Sequence, residues 1–338
     1  MRPGPRNLIT DVAGIAVGNA ADERLKSGVT VVVCDKPAVA AVQVLGGAPG
    51  TRETDLLRSE NLVDKVHAVL LTGGSAFGLD AAGGVMRWLE DRGHGLPVGP
   101  VRVPIVPAAV LFDLWVGDGG VRPDAAAGHA ACEAAGLEAI AQGSVGAGAG
   151  ALVGKLYGLD RAMKGGIGHA SLTVDGITIA ALVAVNAVGD VIDPANGRVL
   201  AGARRADGRG LLGSTDAMAR GEGPSHLVAG GATTIGVVAT DAMLTKPQAN
   251  KLAAMSHDGL ARCIDPLHTL TDGDTLFALA TGCSGRAVHL TWLGALAARV
   301  TTQAVLNAVR HAEGLPGWPS ARELSAAEGD AAPNEPTL

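Results

Sequence analysis

Short apolar runs closed by Gly or Asp recur along most of the chain, and their spacing predicts the elements. "GIAVG" (14–18), "GVTVVVC" (28–34), "AAVQVL" (40–45), "VHAVLLTG" (66–73), "SLTVDGITIAALVAV" (171–185), "TTIGVVAT" (233–240) and "TLFALATG" (275–282) read as strands. Several are short and rich in β-branched residues, which suit a pleated, half-buried surface. A helical period appears in "AFGLDAAGGVMRWLEDRG" (76–93), "PDAAAGHAACEAAG" (123–136), "KPQANKLAAMSHDGLARCI" (246–264) and "HLTWLGALAARVTTQAVLNAVRHAEG" (289–314). In the third, Leu252, Met255, Leu260 and Ile264 recur near helical spacing, with Thr245 placed to cap it. In the fourth, Leu293, Leu296, Val300 and Ala304 share a face. Residues 200–231 hold no period and are rich in Arg, Gly and Asp, which predicts a long exposed loop. The polar stretch from about Pro319 to the end reads as disordered. Long strands followed by long helices, rather than strict alternation, predict sheets covered by helices in one large α/β unit.

Composition narrows this picture. The 338 residues suffice for one large domain or two ordinary ones. Hydrophobic residues make up 47% but aromatics only 2%, so Ala, Val, Leu and Ile must fill the core. A net charge of −6 offers no basic stripe for nucleic acid. Cys34, Cys132, Cys263 and Cys283 form no C-x-x-C pair, which argues against zinc and against a disulfide scaffold. "MRPGPRNLITDVAGIAV" reaches polar residues before a signal-peptide core can form. The longest apolar stretch (177–189) is too short to span a bilayer. A cytoplasmic protein with no membrane or nucleic-acid partner is therefore expected.

Most candidate motifs fail on spacing. "GAGAGA" (146–151) satisfies G-x-G-x-x-A but lacks a suitably placed acidic residue, so it reads as a glycine-rich turn. "GALVGKL" (150–156) misses the phosphate-loop spacing, and "GGSAFG" (73–78) misses the nucleophile elbow. No histidine pair has metal-ligand spacing. On its own, Lys155 is a surface lysine, and Asp272 and Asp274 in "DGD" could hold a cation but read first as solvated or capping residues of a turn. Asn186 inside an apolar run is either a structural hydrogen-bonder or a donor aimed at a substrate. "AGGATTIGVVATDA" (229–242) is either a strand entered through a flexible turn or a place where the chain is cut to give Thr233 a new N-terminus.

These items converge once the blocks are taken in order. "NLITDVAGIAVGN", "GGAPGTRETDLL" (46–57), "LLTGGSAFGLDAAGGVMRWLE" (70–90), "PIVPAAVLFDL" (104–114), "KGGIGHAS" (164–171), "AVNAVGDVIDP" (184–194), "TTIGVVATDA" (233–242) and "HDGLARCIDPLHTLTDGDTLFALATG" (257–282) resemble the L-aminopeptidase/D-Ala-esterase/amidase family. That family of self-processing N-terminal-nucleophile hydrolases includes β-aminopeptidases and the endo-type 6-aminohexanoate (nylon) oligomer hydrolase. The resemblance covers nearly all of residues 7–310. It implies the fold shared with ornithine acetyltransferase, a four-layer αββα sandwich. It also implies a chain cut into a large part (1–232) and a small part (233–318) of one domain, with 319–338 as the tail.

By the same resemblance, Thr233 is the nucleophile and its freed α-amine the base, a group whose pKa of about 7.7–8.0 suits proton exchange near neutrality. Asn186 donates to the oxyanion, and Asp272 and Asp274 orient Thr233 or hold its amine or Lys155. The lysine, asparagine and paired aspartates match the nylon-hydrolase branch, where β-aminopeptidases carry serine and glutamate in the "DGD" region. One residue departs: the position before the nucleophile is commonly Asn in that branch and is Ala232 here. The expectation is a hydrolase of small peptides, amides or amino-acid oligomers, without cofactor or metal, assembled as a homo-oligomer (a tetramer by the resemblance). The competing readings are an acyltransferase of the ornithine acetyltransferase type and a non-processing binding or assembly protein.

Overall fold

The computed structural model describes residues 3–22, 24, 26–138, 140–224 and 230–330. Nine strands make one hydrogen-bonded sheet: β1 (Ile15–Asp22), β2 (Ser27–Val44), β3 (Thr51–Arg52), β4 (Lys65–Thr72), β5 (Ala108–Val110), β6 (Gly166–Val174), β7 (Ile177–Asn186), β8 (Thr233–Thr240) and β9 (Thr275–Ala280). Their order is β6-β7-β8-β9-β2-β4-β5-β3, with β1 also on β2. The helices are α1 (Ala81–Asp91), α2 (Ala125–Glu133), α3 (Ser214–Ala219), α4 (Lys246–Ala261), α5 (Leu290–Arg310) and α6 (Ala321–Asp330).

β2 turns this sheet into two layers. Its first half pairs with β1 and its second half with β9 along the same edge, while β4 lines the other edge. A register irregularity between Val33 and Ala38, beside exposed Asp35, Lys36 and Pro37, marks the bend. The pattern predicts two separate strands here (28–34 and 40–45). They are one, because a bulge lets the ladder pass the proline, which has no N–H to give.

Three apolar clusters fix the layering. Val17, Val32, Val69, Leu182, Val237 and Phe277 meet between the two halves of the sheet. Outside one half, Val29, Val31 and Leu70 pack on Val85 and Leu89 of α1 and Ala131 of α2. Outside the other, Val183, Val238 and Ala278 pack on Leu252 and Leu260 of α4 and Leu293 and Val300 of α5. The layers run helix, sheet, sheet, helix, the expected αββα sandwich. The small aliphatic core suits this plan, since Ala, Val and Leu let two sheets and their helices approach closely.

Thr245 caps α4 as expected, accepting from the Gln248 amide in a capping box. Four expectations need correction. The run 171–185 is not one strand but parts of β6 and β7, which pair antiparallel across Asp175 and Gly176. The helix predicted over 76–93 begins as a 3-10 turn, Ser75–Asp80, before α1. The stretch 200–224 is not simply exposed: Ala201, Ala203, Ser214 and Ala217 are buried. There the buried carboxylate of Asp190 accepts from the Ala203 and Ser214 amides at 2.8 and 2.6 Å. Residues 225–229 of that expected loop lie outside the described residues. Within the expected tail, residues 321–330 form α6, whose Leu324 packs on the α4/α5 core; residues 331–338 lie outside the described residues. Among the described residues, no helix is long and apolar enough to cross a membrane.

Candidate active site

Strand alternation delivers the first two residues. Ile235, Val237 and Ala239 of β8 face the inter-sheet core, as do Ala180, Leu182 and Ala184 of β7. Counting by two puts Thr233 and Asn186 on that inner face at its rim. The antiparallel register sets them directly opposite each other. Thr233, the first residue of β8, and Asn186, the last of β7, are both buried.

The peptide before β8 is held by several groups at once. The Thr233 hydroxyl donates to the Ala232 carbonyl at 2.5 Å, and the Gly273 amide donates to the same oxygen at 3.0 Å. A Cβ on Gly273 would lie 2.9 Å from Thr233 Oγ1 and 2.9 Å from the Ala48 carbonyl, so only glycine lets this turn approach the hydroxyl. Lys155 Nζ donates to the next carbonyl back, Gly231 O, at 2.8 Å. Its other protons go to Asn186 O at 2.6 Å and Asn186 Oδ1 at 2.9 Å, which uses all three donors of an ammonium. Asn186 Oδ1 also accepts from the Leu152 amide, and Nδ2 donates to Phe112 O at 3.0 Å. One of its two amide hydrogens is thereby engaged, and the other makes no hydrogen bond among the described residues.

The paired aspartates sit in the turn leading into β9. Asp274 Oδ1 accepts from the Thr234 amide at 2.6 Å, and Asp272 Oδ2 accepts from Thr269 N and Thr269 Oγ1 at 2.9 and 2.6 Å. Asp272 Oδ1 is buried with no partner among the described residues. The stretch 45–48 braces this turn: Ala48 N donates to Asp272 O at 2.7 Å and Leu45 N to Asp274 O at 3.0 Å. The structure thus brings together all five residues singled out by the sequence (Lys155, Asn186, Thr233, Asp272 and Asp274) around the Ala232–Thr233 peptide.

Burial sets the electrostatics. It pulls the Lys155 pKa down to about 7, although Asp272, Asp113 and Asp274 pull the other way. It pushes Asp272 up, and the neighbouring Asp274 charge adds to that rise. Two ionisable groups in this region escaped the sequence reading. Asp113 accepts from the Gly74 amide at 2.8 Å and is pushed up to about 6 by burial. Lys164, fully buried, donates to the carbonyls of Gly148, Ala151 and Gly165 and is lowered to about 7 by burial. The signal for Asp113 was available, since an acid inside "AAVLFDLW" is as unusual as the amide at 186. Lys164 sits in the quoted block "KGGIGHAS" without a local pattern to mark it.

Chemically, the arrangement places a hydroxyl against the carbonyl that precedes it, polarises that carbonyl with an N–H, and lays a lysine whose pKa burial brings to about 7 and two carboxyl groups alongside. Among the described residues, no cluster of three or more His, Cys, Asp or Glu is arranged to hold a metal ion.

Known proteins share this fold and much of this sequence. An uncharacterized aminopeptidase of Mycobacterium tuberculosis (strain ATCC 25618 / H37Rv) is 44% identical, over 94% of this chain and 98% of the relative. The 6-aminohexanoate-oligomer endohydrolase of Kocuria sp. (strain KY2) is 34% identical, over 91% and 87%. In fold, the L-aminopeptidase D-Ala-esterase/amidase of Ochrobactrum anthropi superposes with a TM-score of 0.70 at 22% identity, covering 98% of this chain and 96% of its own. The model of peptidase family S58 matches residues 7–322. With a family match over nearly the whole chain, close relatives among aminopeptidases and an amide hydrolase, and the sandwich to go with them, this protein belongs to peptidase family S58.

Proposed function

We propose that the protein cuts its own chain between Ala232 and Thr233 and then works as an N-terminal-threonine amide hydrolase. In the first reaction, Thr233 Oγ attacks the Ala232 carbonyl carbon, and the Gly273 amide stabilises the oxygen on which charge develops. The C–N bond breaks as nitrogen leaves with the hydroxyl proton, giving an ester on Thr233. Water hydrolyses the ester, which frees the carboxylate of Ala232 and the α-amine of Thr233. In the second reaction that amine takes the Thr233 proton as the hydroxyl attacks a substrate amide. The second hydrogen of Asn186 Nδ2 and the Gly273 amide are the oxyanion donors, and Asp272 Oδ1 is the waiting acceptor for an ammonium.

The observation that carries this reading is the convergence of the Thr233 hydroxyl and the Gly273 amide on Ala232 O, with Lys155 on the preceding carbonyl. Ala232 suits its place, because its side chain packs with Leu156, Val188 and Ala203 in a small apolar cluster. The relatives' names support substrates that are small peptides or amino-acid oligomers with a free amino end, and a processed homo-oligomer remains part of the proposal. The test is turnover of a panel of amino-acid anilides and 6-aminohexanoate oligomers, with an acyl-enzyme trapped by acid quench. A covalent adduct mapped to Thr233 supports the reading. Turnover by Thr233→Ala equal to wild type contradicts it.

A further inference from the structure

Behind Asp274 lies a chain of hydrogen bonds that none of the roles above uses. His268, in the loop before β9, places Nδ1 at 2.8 Å from Asp274 Oδ2, and its own backbone amide donates to the same oxygen at 3.1 Å. Its Nε2 lies 3.2 Å from Nδ1 of His257 on α4. His257 Nε2 lies 3.1 Å from the Gln43 carbonyl near the end of β2. The two rings meet edge to face, with centroids 4.9 Å apart.

The proton positions follow from what each atom can do. A carbonyl only accepts, so His257 Nε2 must carry a hydrogen toward Gln43. His257 is buried, and that burial lowers its pKa to about 4, so its ring is neutral and Nδ1 bears the lone pair. Facing that lone pair, His268 Nε2 must donate. On its other side, His268 Nδ1 meets a carboxyl whose two oxygens already accept the Thr234 and His268 amides, a pattern that stabilises the carboxylate. His268 Nδ1 therefore donates as well.

We infer that His268 is a positioning residue: donating from Nδ1 to Asp274 and from Nε2 to His257, it fixes the Asp274 carboxyl, and Asp274 in turn fixes the peptide between Thr233 and Thr234. This rests on the reading of Thr233 as nucleophile. His268 also ties the nucleophile's backbone through His257 to α4 and through Gln43 to β2, the two elements packed beneath the site.

Selective ¹⁵N-histidine labelling of the full-length protein tests this, because two-bond ¹H–¹⁵N spectra at pH 7 separate imidazolium rings from each neutral tautomer. The expected spectrum shows His268 protonated on both nitrogens and His257 protonated on Nε2 alone, with the signals assigned by their loss in His268→Gln and His257→Gln. Asp274→Asn should return the His268 ring to a neutral form, and that change identifies the ring even if His268→Gln does not fold. His268→Gln should lower kcat roughly 10–100-fold, the range typical of groups that orient a catalytic residue, with KM within about twofold. A neutral His268 in the wild type, or a folded His268→Gln with unchanged kcat, overturns the inference. An active Thr233→Ala would instead sink the nucleophile assignment while leaving the ring state of His268 as it is.

Discussion

Asn186 carries two duties, and one substitution separates them. Replacing it with Ala would strip partners from the Leu152 amide, the Lys155 ammonium and the Phe112 carbonyl, at about 1–3 kcal/mol for each buried group left unpaired. Asn186→Asp keeps the oxygen that serves Leu152 and Lys155 and loses the N–H donor. Its second carboxylate oxygen faces the Phe112 carbonyl as an acceptor, so the thermal midpoint falls here too, with Leu152 and Lys155 still paired, and turnover falls about 10²–10³-fold, the usual loss for one oxyanion donor. Melting curves and kcat on both variants check this. Lys155 makes a prediction of opposite kind. Its folded pKa of about 7 lies below the ordinary value of 10.5, so between those pH values the unfolded chain binds more protons than the folded one. Stability from this site must then rise as pH climbs from about 7 towards 10.5. Thr233→Ala, which cannot cut itself, should show a steeper rise in denaturant midpoint over that window than Thr233→Ala/Lys155→Met.

Among the elements, the turn into β9 is the most demanding. Gly273→Ala would push a methyl group to 2.9 Å from both Thr233 Oγ1 and Ala48 O, and the latter is backbone that cannot swing aside. Self-cleavage of that variant, followed by gel over hours, should be slowed at least tenfold while the fold by circular dichroism is retained. Strands and long helices were legible in the sequence because their periodicity is local: "TTIGVVAT" is β8, residue for residue, and Thr245 caps α4 as read. What escaped was set by contacts distant in the chain. Nothing near residues 34–38 says that one strand will pass through a bulge, because the reason is β9 pairing with its second half. Asp190 ties down Ala203 and Ser214 from 13 and 24 residues away. The five site residues could be named only through the resemblance, since each alone has an ordinary explanation. His268 and His257 become meaningful only once α4 lays one ring against the other.

At the scale of the molecule, the position of β8 decides what a cut would do. It lies inside the sheet, paired on one side to β7 and on the other to β9, so residues 233–330 contribute two strands and both α4 and α5 to the same sandwich. Phe277, Val237 and Leu182 share one apolar cluster across the proposed break. Burying one such side chain is worth about 1.5–3 kcal/mol, and several act together. The two pieces should therefore co-elute as one particle in native size exclusion and separate only in denaturant.

The proposed self-cleavage is tested most directly by intact mass and N-terminal sequencing of purified protein incubated without protease, beside Thr233→Ala. The expected wild type is two chains, residues 1–232 and a second beginning Thr-Thr-Ile-Gly, with activity rising as they appear and Thr233→Ala remaining whole and inactive. A fully active wild type that stays a single uncut chain would show that Thr233 only opens a strand.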